Sequence, residues 1–303
     1  MSSLGALAAG GAADRGPTGD LFADLEQVMS YHFMVNAVRA GTVAAVLAGA
    51  LGYVMVLRRQ SFAGHTLAVA GFPGAAGATL LGLDPDLGYF GFCVGAALLL
   101  AATPAGERDP GGGAGDRAAA TAVVQSLALS SGFLFVSLYG GFLSGLDNLL
   151  FGSITGITDH QVGVLAMAGA AVLAVLAAVG RPLLFATLAP TVAAARGVPV
   201  RLLDTGFLVL LGVAAAGTSR VTGSLLVFAL LVAPAAAAVR LTADPAVGLC
   251  LSVGIAVLVT CFGEVAAFFS PWPIGFWVTT LAFAVFLGAA GVRAVADRAG
   301  AIR

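Results

Sequence analysis

Lysine is absent from all 303 positions, and charged residues of either sign make up only 10% of them. Without lysine there is no Gly-Lys-Ser/Thr phosphate-binding loop, so the chain is not an ATPase of that type. The scarcity of charge excludes an ordinary soluble domain, where about a quarter of residues are charged. The formal net charge of −1 leaves no bulk field to attract nucleic acid or an acidic surface. Cysteine is also scarce. Cys93, Cys250 and Cys261 fall in apolar stretches with neither CxxC spacing nor a disulfide framework, and read as small packing residues. No serine–histidine–acid grouping and no HExxH motif stands in the chain. An enzyme is therefore not expected and no catalytic residue is assigned. Met1 to Asp20 lacks a positive stretch followed by an apolar core, so it does not read as a cleavable signal. Residues 1–19 are expected to form a disordered tail.

What remains is apolar. Hydrophobic residues are 59% of the chain and mean hydropathy is +1.02, which points to a polytopic membrane protein. The all-arginine basic set, with the richness in Ala, Gly and Val, fits a GC-rich genome better than a function. A bilayer crossing needs about 20 apolar residues. Windows of that size lie near 34–57, 61–82, 88–104, 119–139, 161–181, 203–217, 222–239, 246–268 and 273–292. The expected fold is an all-α polytopic membrane helical bundle of about eight or nine transmembrane helices. The 203–217 window is short and runs into Gly217-Thr218-Ser219-Arg220-Val221-Thr222-Gly223, so it reads either as a half-helix or as a full crossing.

Ahead of the first span, Leu21, Phe22, Leu25, Val28 and Met29 recur at helical spacing, which suits a helix lying in the interface. The Gly-rich run from Glu107 to Arg117 reads as a flexible linker. Arginine sets the orientation, because cytoplasmic loops retain positive charge. With nine alternating crossings, Arg58, Arg59, Arg108, Arg117, Arg181, Arg196, Arg201, Arg240, Arg293, Arg298 and Arg303 share one side. That side is expected to be the cytoplasm, with the C-terminus in it. The loops around Asp84, around Asp147 to His160 and around Trp272 carry no arginine, while Arg15 and Arg220 dissent and Arg39 snorkels outward.

Glycine and proline interrupt several spans at depth, a pattern tolerated where neighbouring helices or a cavity satisfy the freed backbone groups. The second span couples Arg58-Arg59 to Gly64, Leu67, Ala70 and Pro73-Gly74. Further on stand Leu150-Phe151-Gly152-Ser153-Ile154, then Pro190, Ala193, Ala195, Arg196 and Gly197. Gly223 to Ala238 follows, centred on Pro234, and Pro273-Ile274-Gly275 opens the last span. In this order and at these separations, the segments resemble the metal-type ABC importer permeases, the zinc, manganese and iron-chelate family. The resemblance runs from about Met29 nearly to the end and implies that residues 20–303 form one permease domain.

The resemblance implies a function: the permease subunit of a binding-protein-dependent importer, moving a metal ion or metal chelate across the bacterial cytoplasmic membrane. It implies partners too: an ABC ATP-binding subunit, an extracytoplasmic substrate-binding protein, a second copy of the chain and the lipid bilayer. ATP and magnesium would be used by the partner, and this chain would bind no cofactor. It implies that Pro190, Ala193, Ala195, Arg196 and Gly197 form the segment docking on the ATPase. His65, Gly64, Pro73, Gly74 and Pro234 would lie nearest the substrate path. Relatives hold metal with an aspartate and a histidine in the second span; here His65 stands at the aspartate position and Val69 at the histidine position. Two roles stand open for His65, contact with substrate or metal, and a hydrogen-bonded strut to Gln125, Ser126 or Asn36. Glu264 reads as a solvated acid near a helix end or as part of an outer vestibule, and Asp147, Asp159 and His160 read as solvated outer-loop groups or as part of a surface facing a binding protein. Competing functions are a secondary transporter, which would need paired intramembrane charges, and an ABC permease for a non-metal solute.

Overall fold

The computed structural model describes residues 26–103, 113–139 and 156–300. Among the described residues there is helix and turn and no strand. The helices are α1 (His32–Leu57), α2 (Ser61–Leu80), α3 (Pro85–Ala102), α4 (Gly113–Tyr139), α5 (Asp159–Leu188), α6 (Pro190–Ala195), α7 (Val200–Thr222), α8 (Ser224–Leu241), α9 (Pro245–Phe268) and α10 (Ile274–Gly300). Helices α1, α4, α5, α7, α9 and α10 contain stretches long and apolar enough to cross a membrane, and shorter apolar helices run at Leu87–Ala102 and Leu226–Leu241. The 20 residues of α2 add about 30 Å at 1.5 Å per residue. The expected polytopic helical bundle is what forms. The tail, the first residues of the interfacial helix and most of the Gly-rich linker lie outside the described residues.

Short-range chemistry sets the helix ends. Thr158 and Gln161 form a capping box at α5: Gln161 N–H donates to Thr158 Oγ1 at 3.3 Å and Thr158 N–H to Gln161 Oε1 at 3.1 Å. At α9, Asp244 Oδ1 accepts from the N–H groups of Ala246 (2.8 Å) and Val247 (3.3 Å), with Pro245 in the first helical position. The end of α1 is tighter. Arg59 N–H bonds Val56 O and Gln60 N–H bonds Met55 O, both at 3.0 Å, and Arg59 takes the left-handed position with φ +57°. This is a Schellman closure with arginine where glycine is usual. It turns the chain so sharply that α2 starts at Ser61.

The 203–217 window belongs to one continuous helix of 23 residues, not to a half-helix. The polar run after Gly217 stays helical because Thr218 donates back to Ala214 O at 2.6 Å, which satisfies its hydroxyl inside apolar surroundings. The break comes only at Gly223, whose φ of +84° separates α7 from α8.

Helix α1 is central, packed on α9, α8 and α5. Its approach to α8 and α9 is close enough that a Cβ on Gly52 would collide with the Leu231 carbonyl, and Ser252 Oγ donates to Gly49 O at 2.8 Å. With no hydrophobic drive between helices in lipid, such small-residue contacts do the packing. Helix α2 lies against α3 and α4.

The antiparallel order sorts the charges. Tyr31 at the start of α1 meets Phe268 at the end of α9, and His32 Nε2 lies 3.6 Å from Asp159 Oδ2. At the other end of α1, Arg58 meets the end of α5 and the start of α7. Arg58, Arg59, Arg196, Arg201, Arg240, Arg293 and Arg298 thus gather toward one end of the bundle, and Arg39 is exposed toward the other.

Candidate functional site

His65 sits in the second turn of α2 and is half-buried. Its ring lies on Phe228 of α8, with centroids 4.4 Å apart and a 54° tilt. Its buried Nδ1 has no hydrogen-bond partner among the described residues. Two of the three expected strut partners, Gln125 and Asn36, are engaged elsewhere. Gln125 Oε1 accepts from Thr66 Oγ1 at 3.1 Å, and Asn36 Nδ2 donates to Ile157 O at 3.1 Å. Val69, also on α2, is buried at 5% exposure.

The other residues placed near the path are buried in helix contacts. A Cβ on Gly64 would strike Met55 Sδ, and one on Gly74 would strike the Gly88 carbonyl of α3. Pro73 and Pro234 are buried inside α2 and α8. Among the described residues no three His, Cys, Asp or Glu side chains stand together as a metal cage. The site offers one imidazole.

Helix α6 is a six-residue excursion between α5 and α7. Pro190 occupies its first turn, where a missing N–H costs nothing. Ala193 is fully buried and anchors the segment, while Thr191, Val192, Ala194, Ala195, Arg196 and Gly197 are exposed. Its end is a second Schellman closure: Gly197 N–H bonds Ala194 O and Val198 N–H bonds Ala193 O, both at 3.0 Å, with Gly197 at φ +80°. Arg196 stands over the Phe185 ring at 5.9 Å.

At the base of this excursion lies a polar network that the sequence did not disclose. Arg58 Nη2 pairs with Asp204 Oδ1, and Arg58 Nη1 donates to Thr187 Oγ1 at 3.0 Å. Gln60 Nε2 donates to the same Asp204 oxygen at 2.9 Å, and the guanidinium stands 5.4 Å from the Phe207 ring centroid. The Arg58 side chain is only 8% exposed. Removing one partner of so buried a pair strands the other charge, a loss of roughly 3–5 kcal/mol. In the sequence Arg58 marked a side of the membrane and the start of the second-span motif, and Asp204 had no visible partner 146 positions away.

A match to the model of the ABC 3 transport family covers residues 30–293. The chain belongs to that family. Among its relatives, the manganese transport system membrane protein MntC of Halalkalibacterium halodurans is 26% identical over 77% of this chain and 78% of its own. The chelated iron transport system membrane protein YfeC of Yersinia pestis is 26% identical over 88% of both chains. In fold the chain is similar to one from the Streptococcus pneumoniae PsaBC complex with Fab, with a TM-score of 0.77 at 24% identity over 89% of this chain and 95% of that one.

Within this ABC 3 permease, Glu264 differs from expectation. It is 2% exposed rather than solvated, and its carboxylate fills the space a Cβ on Gly41 of α1 would need. Glycine at 41 is what lets α9 carry a carboxyl into the α1 contact, and a pair 223 positions apart cannot be read from either residue alone. The outer-loop residue Asp147 and the segment Leu150 to Ile154 lie outside the described residues. Asp159 and His160 are exposed at the end opposite Arg58.

Proposed function

We infer that this chain is the permease of an ATP-driven importer for a metal ion or metal chelate in a bacterial cytoplasmic membrane, working as a homodimer. The family match over residues 30–293 carries this reading. The exposed α6 supports a separate ATPase docked at the arginine-bearing end, taken as cytoplasmic. A binding protein would deliver substrate to the opposite end. Closure of the ATPase subunits would displace α6 and switch the helices between outward-open and inward-open states. Pro190, Ala193, Ala195, Arg196 and Gly197 shape that coupling segment, and His65 contacts the substrate, with Gly64, Pro73, Gly74 and Pro234 setting the helices around the path.

A single imidazole favours a metal that arrives already partly ligated, since a chelate brings its own donors and needs few from the protein. That the relatives include a chelated iron transport protein fits this. The test is reconstitution of the permease with its ATPase and binding protein, followed by uptake of radiolabelled manganese, zinc, iron and an iron chelate. ATP-dependent uptake of one of them is expected. Uptake driven by an ion gradient without ATP would instead establish a secondary transporter. In the same assay, His65→Ala is expected to cut uptake on the order of tenfold or more, in line with losses at disturbed metal sites, with folded yield retained. His65→Gln should not restore it, because an amide replaces an imidazole as a hydrogen-bond partner better than as a transition-metal ligand. Rescue by glutamine would make His65 a strut.

A further inference from the structure

We propose that Arg58, held by Thr187 and by an Asp204 that Gln60 also bonds, is the joint through which movement of the α6 segment reaches α2 and its His65. The proposal rests on the reading of α6 as the ATPase dock, and its geometry is independent of that reading. Thr187 lies two residues before α6's flanking Ala189, and Asp204 lies in the second turn of α7, so the two sit at the departure and return of the α6 excursion. Arg58 and Gln60 lie in the corner that joins α1 to α2. One guanidinium therefore ties both roots of the excursion to the start of the helix that carries His65, five residues after Gln60.

The corner is built to transmit displacement rather than absorb it. The Schellman closure at Arg59 leaves no slack residue between α1 and α2, and Gly64, on the first turns of α2, presses on Met55 of α1. The planar guanidinium addresses Thr187 and Asp204 with two different nitrogens while it lies on Phe207, one turn further along α7. Lysine, a point charge on a flexible stem, could not fix that orientation. Arg58 is thus a positioning residue, acting on the substrate path through α2 and touching no substrate itself.

The experiment uses the full complex of permease, ATPase and binding protein, with radiolabelled metal or chelate as established for the wild type, and measures substrate moved per ATP hydrolysed. Two variants are compared with wild type at matched folded protein: Asp204→Asn, which removes the charge, and Thr187→Val, which removes one hydrogen bond with little change of shape. The expected result is ATP hydrolysis that persists while substrate moved per ATP falls by about two- to thirtyfold, the range for residues that couple distant sites. A purely structural role would lower yield and thermal stability but leave that ratio unchanged. Asp204→Asn carries a risk of misfolding, so Thr187→Val decides in that case, and a wild-type ratio there overturns the proposal. If the wild-type permease does not retain the ATPase at all, the failure belongs to the reading of α6 instead.

Discussion

Arg59 occupies a backbone position that L-residues avoid. Its φ of +57° closes the α1 end, and its side chain is exposed beside the buried Arg58. A left-handed L-residue costs roughly 1–2 kcal/mol, from which glycine is exempt, although glycine also loses more chain entropy on folding. Arg59→Gly is therefore expected to leave uptake intact and to raise stability by up to about 1 kcal/mol, read as a higher thermal midpoint of the purified permease. A lower midpoint would show that the Arg59 head group makes a contact worth more than the strain. Two adjacent arginines, identical in sequence, thus do different work: the one at 58 is held by Asp204, Thr187 and the Phe207 ring, the one at 59 turns the chain. Nothing local distinguishes them. The same holds for Glu264, whose position late in a span suggested solvent, because its burial is decided by Gly41 on another helix.

Helix α6 shows how an element can be legible while its surface is not. The proline at its start and the glycine past its end fix its length, and both are plain in the sequence. The alanines look equivalent, yet Ala193 is buried and its neighbours are not, since packing on α5 and α7 decides which face turns inward. Gly197 is exposed with open space around it, so substitution there strains the closure whatever docks nearby. A docking test belongs on Val192, an apolar side chain 47% exposed at the arginine-bearing end. Val192→Arg is expected to weaken co-purification with the ATPase while shifting the stability of the isolated permease by no more than about 0.5 kcal/mol, as for an exposed substitution. Gly197→Ala should do the reverse in part, lowering stability by about 1 kcal/mol. Full retention of the ATPase by Val192→Arg would remove α6 as the dock. Helix spans were legible for a related reason: twenty-residue apolar stretches leave little choice in lipid. The extent of α7 was not, because the Thr218 hydroxyl in its polar tail is satisfied by the helix's own Ala214 carbonyl.

At the scale of the whole molecule, sidedness follows from where the alternating helices leave their charges. The corners at Arg58 and Arg59, at α6 and after Arg240 share one end, and the α2–α3 turn at Leu83 and the exposed Trp272 lie at the other. Positive charge near membrane-spanning segments is retained in the cytoplasm because translocating it is unfavourable. Arg240 is kept close to the bundle by the Phe286 ring 4.8 Å away, which places it within the range where such charges count. A single cysteine returned to a Cys-free background makes this measurable, since neither Leu83 nor Ala243 is buried. Leu83→Cys is expected to react with a membrane-impermeant maleimide in cells whose outer face is accessible. Ala243→Cys, in the turn between α8 and α9, is expected to react only after the membrane is opened. The opposite pattern would put α6 outside the cell, beyond the reach of any cytoplasmic ATPase, and would take the import mechanism with it. Labelling of both in sealed cells would mean that the helices do not alternate as their contacts require, since Tyr53 near the end of α1 already meets Gly248 at the start of α9.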